Sequence, residues 1–179
     1  THSLKRNLSD AGLIVTLLGV GAVAGALFGG YLVKNFGFRF TQISTSFLTG
    51  ILFIIFSYTT DFTLLCILAV LIGIGAEAFR PANFTAIATY SKPENLTRSY
   101  SLNRFAVNIG MGLGTGLGGL LAAVDYQLLF LTEGVTNILV GVLIWFLLPR
   151  HSFAKPAKIT HEVASGDRSP WRDRGFLNF

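Results

Sequence analysis

Charge is missing from most of this chain, and the places where it is missing decide what the chain can fold into. Residues 11–33 carry no charge at all. Between Thr41 and Lys92 the only charged residues are Asp61, Glu77 and Arg80, and between Phe105 and Pro149 only Asp125 and Glu133. Helices of a water-soluble domain carry polar outer faces. These runs have none, so a bilayer is the solvent they suit. About 20 apolar residues at 1.5 Å per residue cross a hydrocarbon core roughly 30 Å thick. On that scale the 179 residues hold about five spans and a polar tail. The sequence therefore predicts an all-α, polytopic transmembrane helical bundle.

The hinge of the pattern is residues 29–40, where two apolar runs meet at a short turn bearing Lys34 and Arg39. Residues 1–10 are polar, and Ser9 or Asp10 is suited to N-cap the first helix. The expected spans are residues 11–33, 42–58, 62–90, 99–123 and 128–148. The second and third are joined by Thr59-Thr60-Asp61, and the third and fourth by the polar residues 91–98. Pro149 and Arg150 close the fifth span, and residues 151–179 form a tail with many basic residues. Cys66 stands alone in apolar sequence, so no internal disulfide is available and its expected role is that of a small buried hydrophobe.

Alternating spans sort the basic residues. Lys34, Arg39, Lys92, Arg98, Arg104, Arg150, Lys155, Lys158, Arg168, Arg172 and Arg174 fall on one side or at its edge, and only Lys5 and Arg6 on the other. Positive charge concentrates on the cytoplasmic side. Residues 1–10 are then extracytoplasmic, 11–150 form the bundle, and 151–179 are a cytoplasmic loop. The first span runs inward from outside, an orientation that expects one earlier span.

Two stretches resemble signatures of the major facilitator superfamily. Its cytoplasmic motif, roughly G-x-L-a-D-R-x-G-R-R, is matched by Gly30, Leu32, Gly37 and Arg39, with Lys34 in the usual aspartate position. In that family the aspartate belongs to a charge network latching the two halves, and Lys34 inverts its sign. The antiporter signature G-x-x-x-G-P-x-x-G-G resembles residues 110–119, with Gly110, Gly114, Gly118 and Gly119 in place and Thr115 where proline is usual. Ser169-Pro170-Trp171-Arg172-Asp173 resembles the end of the family's central loop. The resemblance makes the spans helices two to six of twelve, with the first helix and the C-terminal half of the transporter lying outside this chain. It also makes the first and fourth spans equivalent members of inverted repeats. Each carries glycines four apart, Gly21, Gly25 and Gly29 on one and Gly110, Gly114 and Gly118 on the other. Such ladders let helix backbones approach closely. By the resemblance, both would face the other half and slide against it.

Glu77 and Arg80 are the candidate working residues, because an ionisable group inside a span is costly unless it is paired or faces a wet cavity. Three apart on a helix, they share a face. Glu77 is placed to take up a coupling proton; the plainer reading is a charge pair that fixes helix packing. Asn83, one turn beyond, joins them as a possible wall of a solute pathway, with Pro81 between to bend the helix. The family's usual arginine in this helix is replaced by Ala69. Arg104 suits the membrane edge, and Glu133 with Asn137 the opposite edge.

Other chemistry finds no support. His2, His151 and His161 lie in separate polar segments without metal-ligand spacing. The glycine-rich span lacks the Gly-Lys-Ser/Thr ending of a phosphate loop. No Ser-His-Asp or Cys-His set is placed to share a site, so an enzyme is not expected, nor a cofactor or metal. The basic tail reads as a loop beside anionic lipid, not as a nucleic-acid arm. The expected function is alternating-access transport of a small solute across the cell membrane, proton-coupled and outward. Its partners are the lipid bilayer, the solute, protons and the other half of the transporter. The alternatives are a proton-coupled uptake symporter for a sugar, peptide or organic anion, and a helical membrane subunit that does not transport.

Overall fold

The computed structural model describes residues 8–148, which form five long helices: α1 (Leu8–Phe36), α2 (Phe38–Tyr58), α3 (Phe62–Tyr90), α4 (Leu96–Val124) and α5 (Tyr126–Leu147). A single 3₁₀ turn, Pro93–Asn95, precedes α4, and no strand occurs among the described residues. All five helices are long and apolar enough to cross a membrane. The expectations for residues 1–7 and 149–179, the tail motif and all three histidines included, lie outside the described residues.

Several boundaries differ from the sequence reading, three of them by more than two residues or in kind. Helix α1 begins at Leu8, so neither Ser9 nor Asp10 precedes it as a cap; Asp10 sits in its first turn, where a carboxylate meets the positive end of the helix. The polar stretch 91–98 is mostly helical, because Pro93 opens a 3₁₀ turn that feeds directly into α4. The basic turn shrinks to one residue. Gly37 has φ 82°, a conformation nearly closed to residues with a Cβ. Its N–H donates to the Val33 carbonyl at 3.0 Å, and its carbonyl accepts from Thr41 N–H at 3.2 Å. The same glycine thus closes α1 and opens α2.

The helix starts at the opposite end of the bundle have explicit caps. The Asp61 carboxylate accepts from Leu64 N–H at 3.0 Å, and that of Asp125 from Gln127 N–H at 2.8 Å. Each supplies a partner to an amide that a helix start leaves unsatisfied.

Packing follows the glycines. Helix α1 lies on α3 in constant register. A Cβ on Gly21, Gly25 or Gly29 would strike the backbone at Val70, Ile74 or Ala78 respectively, and at Gly29 also Pro81 Cγ, 2.8 Å away. Gly73 answers from α3, where a Cβ would come 2.9 Å from Ala22 N. Helices α2 and α5 meet antiparallel through Gly50 and Gly134. A Cβ on either would come 2.8 Å from the carbonyl of the other. Without an aqueous drive to push apolar helices together, such contact supplies the association through dispersion.

Helix α2 bridges the two pairs and is inverted relative to a soluble helix. Its buried residues include Thr41, Gln42, Thr45, Ser46 and Thr49, while Leu48, Ile51 and Ile55 are exposed to the apolar surroundings. Two of the hydroxyls return to their own helix, Thr41 to the Gly37 carbonyl at 2.8 Å and Thr45 to the Thr41 carbonyl at 2.7 Å, while the buried Thr49 hydroxyl has no hydrogen-bond partner. Leu52, Leu68 and Ile72 form the apolar centre between α2 and α3, with Phe53 and Phe56 against it. Phe130 of α5 meets Phe56 edge-on at 4.8 Å. Cys66 is half-buried and unbridged. Helix α4 buries no residue among those described and touches α5 more than α3.

Candidate functional site

The intramembrane charges lie on α3, and a carboxamide pair links that helix to the facing turn of α4. Arg80 Nη2 donates to Glu77 Oε1 at 3.1 Å, one turn apart on α3. The two side chains are unequally covered, 27% exposed for Glu77 and 68% for Arg80, so the carboxylate is held inward and the guanidinium reaches out. Pro81 has no amide hydrogen to give the carbonyl of Glu77, which therefore lacks its usual intrahelical partner. Glu77 thus combines a half-covered carboxylate with a backbone carbonyl released from the helix ladder, midway along α3.

One turn on, Asn83 Nδ2 donates to Asn103 Oδ1 of α4 at 3.2 Å. Tyr100 donates its hydroxyl to the Phe84 carbonyl at 3.2 Å, and the two rings lie 5.7 Å apart. Asn83, Phe84, Tyr100 and Asn103 tie α4 to α3 at the end where the basic residues cluster. Sequence reasoning missed Asn103 as a partner for Asn83. Its one signal was a carboxamide in the first turns of an apolar helix. Arg104, read as an edge residue, is exposed, as is Asn108 one turn on. At the far end Asn137 Nδ2 donates to the Glu133 carbonyl at 2.9 Å, and the Glu133 side chain is exposed.

The turn residues separate in the structure. Gly30 has open space around it, and Lys34 is exposed in the last turn of α1. Gly37 supplies the reversal. Arg39 turns inward, donating from Nη2 to the Trp145 carbonyl of α5 at 2.7 Å.

The two glycine ladders also part company. Gly21, Gly25 and Gly29 are spent on α3 within this bundle, not on a surface facing outward. Gly110, Gly114 and Gly119 have nothing within 4 Å of an added Cβ, and Gly118 only Leu129 at 3.6 Å. The glycine face of α1 is thus turned to α3. The α4 ladder remains bare among the described residues.

Five apolar helices joined by minimal turns, an ion pair inside the third, and glycine-matched helix pairs describe a membrane-spanning helical bundle. The sequence profile of the Major Facilitator Superfamily matches residues 1–177. The chain belongs to that superfamily. An uncharacterized MFS-type transporter of Bacillus subtilis, YttB, is 27% identical over 147 residues, covering 81% of this chain and 36% of the relative. The 4-hydroxybenzoate transporter PcaK of Pseudomonas aeruginosa is 28% identical over 146 residues, covering 79% of this chain and 32% of the relative. The quinolone resistance protein NorA of Staphylococcus aureus is 25% identical over 135 residues, covering 75% and 35%. The chain spans about a third of the length of these relatives. As a major facilitator chain it is a membrane protein of the transporter class, a partial bundle of that fold with five spans.

Proposed function

We propose that this chain is most of the N-terminal half of a proton-coupled secondary transporter of the plasma membrane, with its basic end in the cytoplasm and Glu77 as the coupling carboxylate. The observation that carries the reading is the Glu77–Arg80 pair inside α3. With Glu77 ionised the pair is neutral overall. A proton on Glu77 leaves Arg80 an unbalanced cation, which is costly inside a membrane unless another group partners it. Solute charge then sets the direction of coupling. A cationic solute competes with the proton for Glu77, which gives exchange. An anionic solute engages Arg80 most readily once Glu77 is protonated, which gives movement of both together.

Export by proton exchange is the first reading. The glycine pattern of residues 110–119 and the likeness to a quinolone resistance protein support it. Uptake is the second, supported by the likeness to a 4-hydroxybenzoate transporter and by the exposed guanidinium of Arg80. In either case Glu77, Arg80 and Asn83 would line the solute and proton pathway. The turn of Gly30, Lys34, Gly37 and Arg39 would bear on switching between the two halves, and a helical subunit that does not transport becomes the least supported alternative. The test is solute-driven proton movement in vesicles holding the full-length polypeptide, with Glu77→Gln beside the parent. Proton movement present in the parent and lost in the variant is expected. Equal proton movement in both would remove Glu77 from the coupling step.

A further inference from the structure

Proline cannot donate a backbone hydrogen bond. In an α-helix each carbonyl accepts from the amide four residues on. The Ile144 carbonyl receives its bond from Leu148 N–H at 3.0 Å. The next carbonyl, that of Trp145, would need the amide of residue 149, and residue 149 is proline. Leu148 is moreover extended, with φ −86° and ψ 115°, so α5 ends here and the Trp145 carbonyl in its last turn has no partner within the helix.

The structure supplies that partner from 106 residues earlier. Arg39 Nη2 donates to the Trp145 carbonyl at 2.7 Å, a short bond of the charge-assisted kind. The guanidinium carbon also stands 5.9 Å from the centroid of the Trp145 ring, within cation–π range. A cation at this place meets the negative end of the α5 dipole. Arg39 is the second residue of α2, directly after the Gly37 reversal, so its backbone is held by the first turn of that helix. Its Nε is buried without a hydrogen-bond partner, which leaves the Trp145 carbonyl and ring as the contacts that orient the side chain.

We propose that Arg39 is the C-terminal cap of α5. It stands in for the hydrogen bond that Pro149 cannot donate, and so ties the point where the chain leaves α5 to the glycine turn between α1 and α2. This is a positioning role, satisfied within the five helices and needing no partner in another part of the transporter. It gives the arginine of the turn a task separate from any latch between halves.

The cap is tested by a double-mutant cycle on the full-length polypeptide, read by thermal unfolding in detergent. Arg39→Met should lower the midpoint by roughly 2–4 °C, the shift that loss of one such bond gives in a domain of this size. Pro149→Ala returns an amide hydrogen four residues after Trp145. In that background the loss on Arg39→Met should fall to half or less. Amide exchange at Leu147 and Leu148 gives a second readout, faster in Arg39→Met and restored in the double variant. If Arg39→Met does not accumulate, Arg39→Lys serves in the same cycle, with a smaller loss because the ammonium still donates. Equal losses in the two backgrounds would overturn the proposal, as would exchange at the end of α5 that Arg39→Met leaves unchanged. A latch role alone predicts that second pattern.

Discussion

Gly25→Ala is the sharpest test of how the bundle holds together. Gly25 faces α3, and a Cβ there would lie 2.7 Å from Ile74 Cα and 2.9 Å from its carbonyl carbon. Carbon atoms rest at about 3.5–4.0 Å, so α1 and α3 must part by roughly 0.8 Å to admit the methyl group. The obstacle is backbone on both sides, so no side-chain rotation can relieve it. A gap of 0.5–1 Å forfeits about a quarter to a half of each dispersion well along the seam. Overpacking of this kind costs about 1–3 kcal/mol, and the better helix propensity of alanine returns at most about 1 kcal/mol. Gly19 is the control. It lies on the same helix with nothing within 4 Å of an added Cβ, so Gly19→Ala should hold or raise stability. Detergent-solubilised full-length protein, heated and followed by the fraction remaining monodisperse, ranks the two. Gly25→Ala must melt below the parent and Gly19→Ala must not. Equal midpoints would refute the close α1–α3 register.

Two further substitutions follow from individual contacts. A Cβ on Gly75 would collide with the Thr49 hydroxyl, while the next nearest atom, Thr49 Cβ, is 3.6 Å away. Gly75→Ala should therefore lower the melting midpoint, and adding Thr49→Ala should recover most of the loss; no recovery would mean that the hydroxyl is not the obstacle. Asp61→Ala removes the acceptor for Leu64 N–H and should cost about 1 kcal/mol, seen as faster amide exchange in the first turn of α3.

The sequence made some features plain and hid others for physical reasons. Helix α3 falls on its expected limits, Phe62–Tyr90, because sharp polar signals flank it, Asp61 on one side and Ser91-Lys92-Pro93 on the other. Helices α1 and α2 overrun theirs because hydropathy marks where the bilayer ends, not where backbone bonding stops. Lys34, Asn35 and Phe36 continue the helix beyond the apolar run until Gly37 breaks it. Glu77 and Arg80 stood out because intramembrane charge is rare and their spacing fixes a shared face. The bond between Asn83 and Asn103, and that between Arg39 and Trp145, join residues 20 and 106 positions apart, and no local pattern announces such a partner. The glycine ladders show the same limit. Spacing by four reveals a face, but only the assembled bundle reveals which helix takes it.

The pairing of α1 with α3 and of α2 with α5 has a consequence for how the chain is made. Spans leave the ribosome in order, so neither pair closes between consecutive helices. Helix α1 must wait in the membrane through the whole of α2 before a surface arrives for Gly21, Gly25 and Gly29. Helix α2 waits longer, since Gly50 finds Gly134 only after α3 and α4 have been inserted. Helix α3 already covers Thr45 and Thr49 through Gly75, but the edge of Ser46 and Gly50 stays open until Gly141 and Gly134 of α5 arrive. A nascent chain halted after α4 would leave that edge bare, and quality control would meet it as a helix whose close-packing groove is unfilled.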